Sequence, residues 1–281
     1  MTDMAESTST ATEFPYLHGF SPEEQDRLLR QARMAEPIVF HDIDYSQVRR
    51  LLEVGSGVGA QTEILLRRFP GLHVTCVDLS TGQLDAARDN LGRMPWLADR
   101  YVLQQADATD LPFEPRSFDG AFLCWVLEHV PEPARVLGEV RRVLAPGAVV
   151  YLTEVMNASF LLDPYSPNVW RYWMAFNDFQ LDAGGDPFVG AKLGNLLLAG
   201  GFEDVSTTVK TFHYDNREPA RRKQMIAFWE ELLLSAADQL VAAGKVTPEV
   251  VEGVRREMRD VQNDPDAVFF FSFVQARATV Y

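Results

Sequence analysis

Glycines alternate in Gly55-Ser56-Gly57-Val58-Gly59-Ala60, directly after the apolar run Leu51-Leu52-Glu53-Val54. Such spacing lets backbone N–H groups crowd against a ligand where side chains would block approach, and a helix starting at Ala60 adds uncompensated donors and a positive dipole end. The chemistry implied is the holding of a small, charged cofactor. Gly55-x-Gly57-x-x-Ala60 satisfies the dinucleotide fingerprint in its G/A form, but that spelling is not unique to dinucleotides.

Three acids fall where strands are expected to end, the place at which open parallel sheets bind ligands. Asp78 lies on the order of twenty residues beyond the loop, the spacing at which a carboxylate accepts hydrogen bonds from ribose hydroxyls. Its alternative is to cap the next helix, a task Ser80 already serves. Asp107, in Gln105-Ala106-Asp107-Ala108, is placed to accept from an adenine amino group while the Ala108 N–H meets a ring nitrogen. Glu53 lies inside the first strand, where an unpaired carboxylate is costly. It is expected to hold loop N–H groups or a cationic part of the ligand.

The elements that must position these groups follow from periodicity. Strands are predicted over 50–55, 72–78, 101–106, 118–124 and 149–155, alternating with helices over 60–69, 81–91 and 133–144. That rhythm implies a doubly wound, mostly parallel α/β sheet with right-handed crossovers. Ser21-Pro22-Glu23-Glu24 is a capping box that starts a helix ending near Glu36, where Pro37 should stop it. Gln31 sits among Leu28, Ala32 and Ala35 on its apolar face, so it either caps neighbouring structure or contacts the cofactor.

After 155 the pattern breaks. Residues 157–189 are rich in aromatic and turn-forming residues, including Phe160, Trp170, Trp173, Phe176 and Phe188. A helix over 190–198 and a strand over 205–212 follow. Residues 218–263 form an amphipathic helical insertion, and a last strand spans 267–280. The predicted organisation is a disordered tail over 1–13, an N-terminal helical lid over 14–48, and one domain over 49–281 carrying cap insertions at 157–189 and 218–263.

A net charge of −14 over 281 residues and a pI near 4.8 argue against nucleic acid or anionic membrane as partner. No run approaches the ~18 apolar residues of a membrane span. Neither a secretory signal nor a metal set is expected, and the two cysteines, Cys76 and Cys124, sit in apolar strands. The default setting is a reducing cytoplasm. A homo-oligomer through the N-terminal helix or the helical insertion is an open possibility.

The stretch 51–60, Val77-Asp78-Leu79-Ser80, Gln105 to Phe113, Phe118-Asp119, Leu127-Glu128-His129-Val130 and Arg142 to Gly147 together resemble the class I S-adenosylmethionine (SAM)-dependent methyltransferases. Within them, the ubiquinone/menaquinone-methylase-like branch of bacterial small-molecule enzymes is the nearest pattern. The resemblance covers about 49–155, and Glu53-x-Gly55-x-Gly57-x-Gly59 spells that family's loop. It departs once, with Gly147-Ala148 where the family has a double glycine.

The resemblance implies a Rossmann-like, seven-stranded sheet whose last strand is antiparallel. It also implies that Gly55, Ser56, Gly57 and Gly59 cradle the methionine part of SAM, supported by Glu53. Asp78 would bind ribose, Leu79 pack on adenine, and Asp107 with Ala108 read its edge. The Cys124–Trp125 backbone would meet the ammonium, with His129 near the sulfonium. His129, whose unperturbed pKa of ~6.5 suits a base, either takes a proton or merely packs on the cofactor.

Tyr16 and His18 are lid candidates over the site, with Tyr16 a possible catalytic partner, and Glu154 is a candidate polar contact to substrate. The aromatic segment stands where such enzymes build a substrate cap, and Trp170, Trp173, Phe176 and Phe188 are its candidate substrate contacts. Apolar walls favour a hydrophobic small molecule, with aromatic, indole or terpenoid-like scaffolds foremost. The alternatives are a nicotinamide-dependent oxidoreductase and a SAM-binding pseudoenzyme.

Overall fold

The computed structural model describes residues 19 and 21–281. Tyr16, His18 and the tail over 1–13 lie outside them.

Five parallel strands form the frame: β1 (Arg50–Val54), β2 (His73–Asp78), β3 (Tyr101–Gln105), β4 (Phe118–Cys124) and β5 (Leu144–Val155). Helices α2 (Ala60–Arg68), α3 (Thr81–Gly92) and α4 (Pro133–Val143) make the crossovers, and α1 (Pro22–Val39) precedes them. The chain continues through β6 (Leu161–Asp163), α5 (Pro167–Asp182), α6 (Leu193–Ala199) and β7 (Glu203–Tyr214). It ends with α7 (Pro219–Leu234), α8 (Ala237–Ala242), α9 (Pro248–Asn263) and β8 (Val268–Thr279).

Strand order is β3-β2-β1-β4-β5-β8, with β8 antiparallel to β5 on one edge and to β7 on the other. Among the described residues the sheet therefore has eight strands rather than the expected seven. The additional strand, β6, pairs Leu161–Asp163 with Phe270–Val268 on the β8 edge that β5 leaves open beyond Val155. A free strand edge exposes unpaired N–H and C=O groups, and three residues suffice to cover this one.

Strand alternation sorts the core onto two faces. Leu52 and Val54 pack on the side of α4 and α6, while Leu51 packs on the side of α1 and α2. On β8, Phe269, Phe271 and Phe273 are all buried under the helical cap, which accounts for an aromatic run too apolar to leave in water.

One local expectation fails for an identifiable reason. Helix α1 does not stop at Pro37 but runs through it to Val39. Proline in a last turn forfeits one backbone bond, and the bond from the Phe40 N–H to the Glu36 carbonyl (3.0 Å) still closes the end. Burial of Ala35, Val39 and Phe40 in the core outweighs that loss. Residues 157–189, rich in aromatic and turn-forming residues, contain a 16-residue helix, α5, that buries Tyr172, Trp173 and Phe176.

Both insertions join into one cap. Glu257 of α9 accepts hydrogen bonds from the Asn168 and Val169 N–H groups (2.8 and 3.0 Å) and from Asn168 Nδ2 (2.6 Å), so it caps the start of α5 from another helix. Across the cap mouth, Arg30 of α1 pairs with Glu231 of α7 at 2.7 Å, and Arg27 lies over the Phe228 ring at 5.6 Å. Among the described residues no helix is long and apolar enough to cross a membrane.

Candidate functional site

The sheet order reverses between β1 and β4, and ligands of open α/β sheets bind at such a switch point, beyond the carboxyl ends of the strands. The turn after β1 is the glycine loop. Gly55, Gly57 and Gly59 have φ of +69°, +50° and +76°, so all three occupy the left-handed region that side chains disfavour. A Cβ at Gly55 would sit 2.5 Å from Val126 Cγ2, whereas one at Gly57 meets nothing within 4 Å. Gly55 is thus closed by packing, and Gly57 opens towards the cavity.

Asp78 ties the loop to the sheet. Its Oδ2 accepts the Gly57 N–H (2.8 Å) and its Oδ1 the Ser80 N–H (2.9 Å). Burial raises its pKa, and these backbone donors act in the opposite direction. Ser80 caps α3 through the Gln83 N–H, so Asp78 is spared from capping as the spacing suggested, although it also braces the loop. Asp107 folds back on the Thr109 N–H and hydroxyl (2.8 and 2.7 Å).

A single cavity of about 600 Å³ joins these groups to the cap. Gly55, Ser56, Gly57, Asp78, Leu79, Asp107, Ala108, Cys124, Trp125, His129 and Gln31 line it, as do Trp173 and Phe176. Trp170 and Phe188 do not: Trp170 packs 6.2 Å from Phe160, and the Phe188 N–H bonds Asp186 outside the cavity. Gly59 also stands back, its Cβ position filled against Leu91 at 3.0 Å.

Two acids take roles other than those expected. Glu53 neither holds the loop nor reaches the cavity. Strand alternation turns it to the α2 side, where at 2% exposure it accepts from Thr62 Oγ1 (2.6 Å) and Cys76 Sγ (3.6 Å). Burial pushes its pKa up to about 7. Glu154 is no substrate contact. Fully buried, its Oε1 accepts the Val126 and Leu127 N–H groups (3.0 and 2.9 Å), fixing from below the turn that carries Glu128 and His129. Burial first, and the nearby Glu128 second, raise its pKa to about 8.

Sequence reasoning missed several lining residues. Arg27 is buried and gripped by Glu24 (2.6 and 2.7 Å) and by Gln31 (2.7 Å), so Gln31 reaches the cavity as part of that network. Gln83, Asn157, Gln180, Phe212, Met225, Phe228, Trp229 and Phe271 also line the cavity. The only signal available for them was amphipathic spacing, which speaks of burial and not of what the buried face meets.

The residues fit SAM. Ser56 Oγ and Gln61 Oε1 are buried without a partner among the described residues, and both belong to the cavity lining at the start of α2. An open glycine cradle at a helix start suits a carboxylate, and the half-buried Asp78 at the end of β2 and the exposed Asp107 beyond the end of β3 suit hydroxyl and amino groups.

Residues 52–152 match the family model described as "Methyltransferase domain". An O-methyltransferase, cnsE, of Penicillium expansum is 33% identical over 165 residues, 58% of this chain and 55% of its own length. A demethylmenaquinone methyltransferase of Clavibacter sepedonicus is 37% identical over 37% of this chain and 40% of its own length. The chain thus spans about half the length of the curated relatives it matches. The solved phosphoethanolamine N-methyltransferase 2 of Haemonchus contortus, in complex with S-adenosylmethionine, superposes with a TM-score of 0.55 at 19% identity, covering 89% of this chain and 52% of that one; this likeness speaks to the fold alone. With the sheet order and the loop geometry, the match over 52–152 identifies a SAM-dependent methyltransferase domain over that stretch, similar in sequence to demethylmenaquinone methyltransferases, with SAM as its cofactor.

Proposed function

We propose that this chain transfers the methyl group of SAM to a hydrophobic small molecule with an aromatic, indole or terpenoid-like scaffold. One observation carries the reading: the same cavity is polar and glycine-lined at the β1–β2 end and aromatic at the cap end, where Trp173, Phe176, Phe212, Phe228, Trp229 and Phe271 gather. When bound, SAM supplies an activated methyl group to a nucleophile held in line behind it.

The chain's own residues orient and exclude water. Asp78, Asp107 and the Ala108 N–H hold the nucleoside end, and the glycine loop holds the amino-acid end. The aromatic wall desolvates the acceptor and keeps it against the methyl, and positioning of this kind is worth ~7–11 kcal/mol of barrier. His129 accepts a proton from an acceptor that must lose one, a contribution of about 10²- to 10⁴-fold.

S-Adenosylhomocysteine at ~100 times its Kd should stabilise the protein by about 2.7 kcal/mol and raise Tm by a few degrees, while NAD(H) should not. Methyl transfer from labelled SAM into a panel of hydrophobic acceptors completes the test. Stabilisation by NAD(H) instead would establish the oxidoreductase alternative, and cofactor binding with no transfer to any acceptor would establish the pseudoenzyme.

A further inference from the structure

The turn after β4 places Glu128 and His129 side by side at the cavity, with Glu128 Oε1 3.7 Å from His129 Nε2. Glu154 of β5 supports the turn from below, while the Glu128 carboxylate and carbonyl are held from the cap. Gln180, on the last turn of α5 and 1% exposed, donates from Nε2 to both the Glu128 carboxylate Oε2 and the Glu128 carbonyl, each at 3.1 Å. The carbonyl also accepts the Asp186 N–H at 2.8 Å. Residue 185 must be glycine here, because a Cβ would lie 2.5 Å from that same carbonyl oxygen.

The orientation of Gln180 is forced. Turning the amide over would set its oxygen against two acceptors, so Nε2 must face Glu128. Its own Oε1 is then left buried with no partner among the described residues, a costly state for a carbonyl. A packing role would be met by leucine or methionine at no such cost. The amide is retained for what it does to Glu128.

We propose that Glu128, locked by Gln180 of the cap, is a positioning residue that sets the protonation of His129. The inference rests on the methyltransferase reading for its purpose. When the acceptor's X–H bond breaks, its proton passes to the imidazole, and the resulting imidazolium lies against a carboxylate that cannot swing away. The proton later leaves to water.

Other charges near the imidazole are weaker influences. Glu132 and Arg135 at the start of α4 pair with each other at 3.6 Å, more than half exposed, so solvent screens them. Asp107 and Asp78 stand at the cofactor end of the cavity. Glu154 lies beneath the turn, occupied with the Val126 and Leu127 N–H groups.

NMR titration of the His129 ring in the full chain without acceptor, identified as the resonance missing in His129→Asn, tests this. A carboxylate 3.7 Å from the imidazole favours its charged form, so Glu128→Gln should lower the His129 midpoint. Gln180→Met should lower it by a smaller amount while keeping Glu128. The acidic limb of the kcat/KM profile should move by the same amounts. Equal midpoints in wild type and Glu128→Gln, with both proteins folded by the same thermal criterion, would overturn the proposal. Because the titration needs no turnover, a shifted midpoint in a protein that transfers no methyl sustains the coupling and removes only the methyltransferase reading.

Discussion

The two ends of the cavity are built by different means. At the cofactor end the ligand-facing groups come from short, contiguous stretches, 55–57, 78–80 and 106–109, each following a parallel strand, and the shaping agent is backbone conformation: three positive-φ glycines and an aspartate that accepts two backbone N–H groups. At the cap end the wall is drawn from α5, β7, α7 and β8, and the shaping agent is ring packing. Trp229 alone lies 4.6 Å from Phe271, 5.1 Å from Phe269 and 5.4 Å from Phe160, centroid to centroid. A backbone-built site leaves a motif, whereas a packed one leaves only composition.

If the two ends divide binding and stability in this way, substitutions should separate them. The largest effect is expected at the cap. Trp229→Ala should cost about 3–5 kcal/mol by urea unfolding, with S-adenosylhomocysteine affinity kept within ~3-fold in the folded fraction. An equal loss of cofactor affinity would break the division.

Gly57→Val is the converse probe. A branched residue at φ +50° strains the loop and fills the open cradle. Calorimetry should show S-adenosylhomocysteine binding weakened by ~100-fold or more, about 2.7 kcal/mol, with Tm falling by only a few degrees. Normal binding would show that the cradle does not face the cofactor.

The smallest effect sharpens the boundary between the ends, where Glu154 supports the turn shared by both. Its folded pKa of about 8 lies above the ordinary carboxyl value of 4.5. Between those limits the folded state holds a proton that the unfolded state has lost, so this group's contribution is fully present below pH ~4.5 and is lost as pH rises through about 8. Glu53, at about 7, acts with the same sign. Glu154→Gln should flatten the fall in stability between pH 5 and 8 while its amide oxygen still accepts the turn's N–H groups. An unchanged slope would assign the pH dependence to Glu53 or elsewhere.

Much of the sheet is legible from the chain because central parallel strands are apolar on both faces and are punctuated by glycine, proline and capping residues. Phe118–Cys124 is read to the residue, and β1, β2 and β3 to within one. Strand alternation was also available for Glu53, but its periodicity does not say which face carries α2 and which the ligand. Gln180, 52 residues beyond Glu128, carries no local mark at all: a polar residue on an aromatic helix looks the same whether it faces solvent, a neighbour or a site.

The chain by itself determined the parallel α/β order, the glycine loop and the acids that close β2 and β3, because each depends on conformational preferences that act over a few neighbouring residues. Tertiary structure alone decided that Pro37 stays inside a helix, that Glu53 and Glu154 brace the backbone, and that α5 and α9 merge into one cap around the aromatic half of the cavity. Those outcomes turn on which buried surfaces meet. Burial energy is proportional to area and indifferent to sequence distance, so no local pattern encodes the partner.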